Sequence, residues 1–453
     1  MYKNLNLRLT GFFNEMKNCH DIDMSHFAVI DKNDTLFKFV KYPYSHDSYS
    51  KTVFSITKSI TSLAIGILYD EHKISLDDYV TKYIDLSSYK INPAVNRIKV
   101  KHLLTMTSGL EKESVIEMKK ELDWVKLFFE KNQLFEPGSY YQYSSLSTHM
   151  LSVIITNITQ KKLKDFVREK IFEPMDILSD QWFETKDYTF GGFGLAIAFD
   201  DLIKVGKLML NQGEFNGKRI VSKEYIKMAS SIQTLKQSYF GLPNTDYIGR
   251  AYGLSFHIMP NGTYRMDGAF GQIVYMIPKY DIGIITMSES INFERMFYLF
   301  DKYFVNEYDE KLNLEMNEVL DIFNVKYDIK PTYKLPLGEY QFTNNTLNLK
   351  KIIINEKEVL IKDEFDQISK FELNFEKDTF GESYFVRSYD WMKLKHNLQT
   401  YFIDENTLVL KVRYLETPYI VTYTLKNENN ELKFIFDVNV NFYYQKFTTT
   451  LKK

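Results

Sequence analysis

One stretch constrains the fold of this chain more than any other: Phe54-Ser55-Ile56-Thr57-Lys58-Ser59-Ile60-Thr61-Ser62-Leu63-Ala64-Ile65-Gly66-Ile67-Leu68. Ile60, Leu63, Ala64, Ile67 and Leu68 recur at the i, i+3, i+4, i+7, i+8 spacing of a helix with one buried face. Ser55 and Lys58 stand at its start, three residues apart, so hydroxyl and amine share one side of the helix. The positive end of the helix dipole and partial burial both disfavour the ammonium form of Lys58. A neutral lysine beside a serine is a nucleophile with a base. The same two residues also allow a plainer reading, with Ser55 as a helix N-cap and Lys58 as a solvated first-turn residue.

Bulk properties narrow the function classes. A chain of 453 residues has room for two or three domains. Its 57 basic and 59 acidic residues are well mixed, for a net charge of −2, so no nucleic-acid partner and no charged tail is expected. Cys19 is the single cysteine, which excludes an intrachain disulfide. The N-terminal run Met1-Tyr2-Lys3-Asn4-Leu5-Asn6-Leu7-Arg8 has no apolar signal-peptide core. No stretch reaches about 18 uninterrupted apolar residues, so no transmembrane segment is expected and the chain reads as cytoplasmic. The eight histidines show no metal-ligand spacing, and no metal or other cofactor is expected. The Gly191–Gly194 cluster lacks the Lys-Ser/Thr ending of a phosphate loop. No G-x-S-x-G elbow argues for a Ser-His-Asp hydrolase.

In chain order, residues 5–18 read as a helix, and Phe27–Ile30 and Leu36–Val40 as strands joined by the turn Asp31-Lys32-Asn33-Asp34. Leu146–Thr159 is a helical run. Tyr252–Phe256, Thr263–Met266, Ile273–Ile277 and Ile282–Met287 read as strands, with Asn261-Gly262 as a hairpin turn. Residues 291–307 form an aromatic-rich helix, and 308–330 a connector ending at Pro331 and Pro336. Beyond it, Leu408-Leu410-Val412-Tyr414, Tyr419-Val421-Tyr423-Leu425 and Phe434-Phe436-Val438-Val440-Phe442 alternate with period two, and Asn427-Glu428-Asn429-Asn430 is a turn. That pattern predicts an all-β module, a meander or small barrel.

Several segments together carry a resemblance. Ser55-Ile56-Thr57-Lys58-Ser59 is followed by Leu76-Asp77-Asp78, by Leu103-Leu104-Thr105-Met106-Thr107-Ser108-Gly109-Leu110, and by Phe135-Glu136-Pro137-Gly138-Ser139-Tyr140-Tyr141-Gln142-Tyr143-Ser144-Ser145. Ile171-Phe172-Glu173-Pro174-Met175, Gly191–Leu195 and Gly213–Ile220 follow. Over roughly residues 20–305 the chain resembles the serine β-lactamase-like superfamily. That group contains class C β-lactamases, penicillin-binding proteins, D-aminopeptidases, related esterases and 6-aminohexanoate-oligomer hydrolases. The resemblance implies an α+β fold: an antiparallel sheet flanked by helices, a helical subdomain, and here a C-terminal all-β domain. The expected domains are 1–307 for the hydrolase, 308–330 for the connector and 331–453 for the β module.

The resemblance also implies the site. Ser55 would be the nucleophile, with Lys58 and Tyr143 sharing its proton. The backbone N–H groups of Ser55 and Ala269 would form the oxyanion hole. Ser145, Asp267 and Gly268 would contact substrate. Here the pattern departs from the family. Met266-Asp267-Gly268 stands where the family has K-T-G or H-T-G, without the basic first residue, and Ser145 replaces an asparagine. Asp267 is expected to repel a substrate carboxylate at this position. The resulting expectation is a serine hydrolase acting on an ester, amide or peptide bond of a small molecule or peptide, with weak or no β-lactamase activity. A non-catalytic or slowly acylating, penicillin-binding-like receptor or scaffold is the competing reading, and a structural oligomer subunit a third.

Overall fold

The computed structural model describes residues 4–453 apart from 88, 122, 237–249, 309–314, 322–332, 388–389, 430 and 443. Most of the expected connector, Pro331 and the Asn430 end of the expected turn therefore lie outside the described residues.

An eight-stranded antiparallel sheet forms the centre of the first two thirds of the chain. Its strands are β1 (Met24–Ile30), β2 (Thr35–Val40), β3 (Thr234–Leu235), β4 (Ala251–Tyr252), β5 (His257–Ile258), β6 (Tyr264–Gly268), β7 (Gln272–Ile277) and β8 (Ile282–Ser288), in the order β2-β1-β8-β7-β6-β5-β4-β3. Both faces are covered, so successive residues of one strand enter different cores. Phe27, Val29, Tyr275 and Ile284 pack with helices α1 (Leu5–Met16) and α5 (Phe293–Phe300). Ala28, Ile30, Val274, Met276 and Ile285 pack on the opposite side with α2 (Ile56–Asp70) and α4 (Phe199–Leu210). This explains why β1, β7 and β8 are apolar without alternation: all their residues are buried.

One expected strand is shorter than its sequence suggests. Of Tyr252–Phe256, only Tyr252 lies in a strand. The chain then bends through Ser255, at φ 67°, before β5. Gly253, Leu254, Ser255 and Phe256 are buried all the same, because this bend packs under α2.

Helix α2 differs from the one-sided helix expected. Every residue from Ile56 to Leu68 is buried, since α2 lies between the sheet and a helical subdomain that includes α3 (Ser145–Thr159). Its polar side is satisfied by hydrogen bonding rather than by solvent. Ser59 Oγ donates to the Ser255 carbonyl (2.6 Å), Ser62 Oγ to Leu254 (2.7 Å) and Thr61 Oγ1 to Gly191 (2.8 Å).

The C-terminal third is a ten-stranded antiparallel near-barrel: β9 (Gly338–Phe342), β10 (Lys351–Ile354), β11 (Glu358–Lys362), β12 (Ile368–Glu372), β13 (Thr379–Arg387), β14 (Asp390–Asp404), β15 (Thr407–Tyr414), β16 (Ile420–Glu428), β17 (Glu431–Val438) and β18 (Phe447–Lys452). The edge strands β12 and β13 meet through Tyr384 N–H, which donates to Ser369 Oγ at 2.9 Å. Period-two residues such as Leu408, Leu410, Val412, Val421, Phe434 and Phe436 fill the interior. Within the stretch expected as a connector, a short helix α6 (Met316–Asp321) packs against α1 and buries Val319. No described helix is long and apolar enough to cross a membrane.

Candidate active site

From Lys51 to Leu68 the chain is buried at every position except Ser55. The preceding residue, Phe54, has a left-handed backbone (φ 48°), unusual for a bulky residue and a sign of local strain. That turn exposes Ser55 at the N-terminus of α2. Its hydroxyl makes no capping bond, so the N-cap reading fails. Instead, Lys58 Nζ lies 3.1 Å from Ser55 Oγ.

Lys58 is not solvated either, being 1% exposed. Its Nζ also lies 3.2 Å from Ser145 Oγ and donates to the Gly192 carbonyl at 2.5 Å. Burial lowers its pKa from 10.5 to about 7, against an opposing pull from Glu113. The glycine run 191–194 thus serves as close-packed backbone: a Cβ on Gly192 would sit 2.7 Å from the Ser145 carbonyl oxygen.

Tyr143 lies in the loop entering α3, its ring centre 4.8 Å from Lys58 Nζ, and it shares a hydrogen bond with Ser55. Burial raises its pKa well above the ordinary tyrosine value, while the Ser55 bond opposes this. This environment disfavours the phenolate form of Tyr143. Burial thus favours the neutral phenol at Tyr143 and brings Lys58 down to about 7.

Glu113 holds this loop, a role the sequence did not reveal. Its carboxylate accepts from Ser144 Oγ (2.8 Å), Leu146 N–H (3.3 Å) and Ser145 N–H. A carboxylate at a helix N-terminus is favoured by the helix dipole. Ser145, expected to contact substrate, therefore has its N–H on Glu113 and its hydroxyl beside Lys58.

The third wall is the end of β6. A Cβ on Gly268 would lie 2.2 Å from the Val53 carbonyl oxygen, so only glycine allows β6 to run this close to the Ser55 turn. Gly268 pairs with Gln272, and Ala269 opens the following turn, in which Phe270 is again left-handed (φ 64°). Met266 is buried in the core shared with α2. Asp267 is not the isolated negative charge expected. Arg265 Nε donates to it at 2.7 Å, and His257 Nε2 lies 3.7 Å from its other oxygen. His257 Nδ1 is 2.7 Å from Lys236 Nζ, whose pKa burial lowers to about 7. Lys236 and His257 come from β3–β5 surroundings, and no local spacing in the sequence marks them. Among the described residues, no group of three or more His, Cys, Asp or Glu is arranged to hold a metal ion.

Comparison with known proteins agrees with this architecture. An uncharacterized protein of Alkalihalophilus pseudofirmus is 23% identical over 255 residues, covering 51% of this chain and 70% of its own. Protein flp of Staphylococcus aureus is 26% identical over 184 residues, only 37% of either chain. A solved structure from Bacillus anthracis, assigned as a 6-aminohexanoate-dimer hydrolase, superposes with a TM-score of 0.53 at 19% identity, covering 64% of this chain and 80% of that one. EstCE1, a hydrolase with promiscuous acyltransferase activity, gives 0.51 at 15% identity, covering 62% and 92%. The Beta-lactamase family model matches residues 27–296, well over half of the chain and all three walls of the site, and the chain belongs to that family.

Proposed function

We propose that this protein is a serine hydrolase that cleaves an ester, amide or peptide bond through an acyl-enzyme on Ser55. The observation that carries the reading is Lys58: a fully buried amine, 3.1 Å from the half-buried Ser55 hydroxyl, with a pKa lowered by burial to about 7. At neutral pH a large share of Lys58 is the free amine, so its lone pair can accept the Ser55 proton.

The Ser55 oxygen attacks the substrate carbonyl carbon, and the carbonyl oxygen becomes an oxyanion held by the N–H groups of Ser55 and Ala269. The Gly268–Val53 approach supports this pairing by bringing both backbones together. Tyr143, protonated and bonded to Ser55, donates a proton to the leaving alcohol or amine and is resupplied from the Lys58 ammonium. Water then enters and Lys58 takes its proton as the oxygen attacks the acyl carbon; the C–O bond to Ser55 breaks, the acid leaves, and Lys58 returns the proton to the Ser55 oxygen, restoring both groups. Each oxyanion donor is worth about 10²–10³ in rate, and each positioned proton-transfer group about 10²–10⁴.

Asp267 and Gly268 would line the substrate cleft, and Ser145 serves the proton network around Lys58 rather than a substrate amide. The superposition on a 6-aminohexanoate-dimer hydrolase and on a hydrolase with promiscuous acyltransferase activity supports acyl chemistry, while this chain's own residues suggest neutral rather than carboxylate-bearing substrates. The test is fluorophosphonate labelling with p-nitrophenyl butyrate turnover, wild type against Ser55→Ala. Labelling and turnover should both vanish in the variant. Turnover that survives in Ser55→Ala refutes the proposal, and labelling without turnover in the wild type identifies a receptor instead.

A further inference from the structure

The near-barrel is not a remote appendage, because it contacts the chain on both sides of the proposed oxyanion hole. Phe54, which precedes Ser55, and Phe270, which follows Ala269, both belong to the barrel's apolar core rather than to that of the hydrolase domain. Phe442, in the β17–β18 connection, bridges the two. Its ring lies 5.9 Å from that of Phe54 and 4.7 Å from that of Phe270. Phe54 and Phe270 meet each other edge-on at 5.6 Å, and Tyr419 closes the cluster 6.2 Å from Phe270.

Hydrogen bonds secure the strand that feeds Ser55. Thr52 N–H donates to the Glu416 carbonyl at 2.9 Å, and Arg387 Nε donates to Thr52 Oγ1 at 3.3 Å. Arg387 also donates to Gln181 Oε1 at 2.9 Å. Both Phe54 and Phe270 hold left-handed backbones, which cost free energy in a non-glycine residue and persist only where the surroundings enforce them. Their side chains are held by the barrel, and their backbones adjoin the two donor amides.

We infer that Phe442 is a positioning residue: it fixes the spacing of the Ser55 and Ala269 N–H groups by clamping Phe54 against Phe270. This rests on the serine-hydrolase reading above. An oxyanion hole works because its donors are set before charge develops, and displacement of a reacting group by about 1 Å can cost on the order of 10² in rate. Phe442 itself is 49% exposed, so its truncation removes the clamp without opening a sealed core.

The experiment compares wild type, Phe442→Leu and Phe442→Ala in the full chain, with active sites titrated by fluorophosphonate. For p-nitrophenyl butyrate, kcat per titrated Ser55 should fall about tenfold or more in Phe442→Ala and less in Phe442→Leu, with KM within about twofold. Affinity for an alkyl boronic acid, which forms a tetrahedral adduct on Ser55, should fall in step with kcat. The pH midpoint near 7 should stay in place, because Lys58 is untouched. Unchanged kcat per titrated site, or a loss confined to KM, overturns the inference and leaves the hydrolase reading standing. Absence of labelling and turnover in the wild type overturns the hydrolase reading and this inference with it.

Discussion

At the scale of single residues, Lys58 makes the sharpest prediction. Its pKa of about 7 means that kcat/KM for a neutral ester should rise about tenfold per pH unit below 7 and level off above it. A flat profile from pH 5 to 9 would exclude Lys58 as the base. Stability should also rise with pH, but in the window above about 7 where activity is level. The unfolded lysine, at 10.5, binds a proton that the folded one has lost, so stability rises with pH between about 7 and 10.5. Substrate choice is the second prediction. Met266, which the family resemblance sets at the basic position, is buried and apolar, and the adjacent Arg265 donates to Asp267. kcat/KM for p-nitrophenyl butyrate should therefore exceed that for nitrocefin on the same preparation. Nitrocefin turnover at ~10⁴ M⁻¹s⁻¹ or better would show that a carboxylate is read after all. Ser55 and Lys58 were legible because helical spacing places them together, and Tyr143 because its motif is dense. Glu113, His257 and Lys236 were not, since they reach the site from separate segments with no local pattern.

At the scale of elements, the β6–α2 approach is the most exacting contact. Gly268→Ala would push a methyl group to 2.2 Å from the Val53 carbonyl, which is backbone and cannot swing away. The variant should lose about 1–3 kcal/mol of stability and at least about tenfold in kcat. Thermal unfolding and ester kinetics on one sample would check both. Wild-type values for both would mean that β6 has slack here. Periodicity made β1, β2, β7, β8, α1 and the barrel strands β15, β16 and β17 legible, while the other barrel strands were not singled out. The reading failed where burial and pairing part company. Gly253–Phe256 is as buried as any strand, yet it is a bend whose carbonyls serve α2 hydroxyls. Likewise the sequence showed one apolar stripe on α2, because Ser and Thr on its other side look solvated until their acceptors are known.

At the scale of the whole molecule, the change to period-two patterning after Pro336 was legible, but the grip of the barrel on Thr52, Phe54 and Phe270 was not, since sequence patterns do not show which surfaces meet. We propose the domain division 1–307, 308–330 and 331–453, modified by α6, whose Val319 is buried against α1. Limited proteolysis should therefore cut between Asp321 and Gly338. It should leave a stable C-terminal fragment that stays associated, and separating the two pieces should abolish ester turnover. Even cleavage through both halves would refute the division. The hydroxyl anchors of α2 have a further consequence, for the time at which the nucleophile comes into being. Ser59 and Ser62 bond to carbonyls 196 and 192 residues downstream, and Thr61 to one 130 residues away. Contacts that distant form late, because the chain must close long loops before they repay the entropy. During synthesis, then, Ser55 emerges early but gains its setting only after residues 254–255 have left the ribosome. On the hydrolase reading proposed above, the nascent chain carries a serine that only the finished fold turns into a nucleophile.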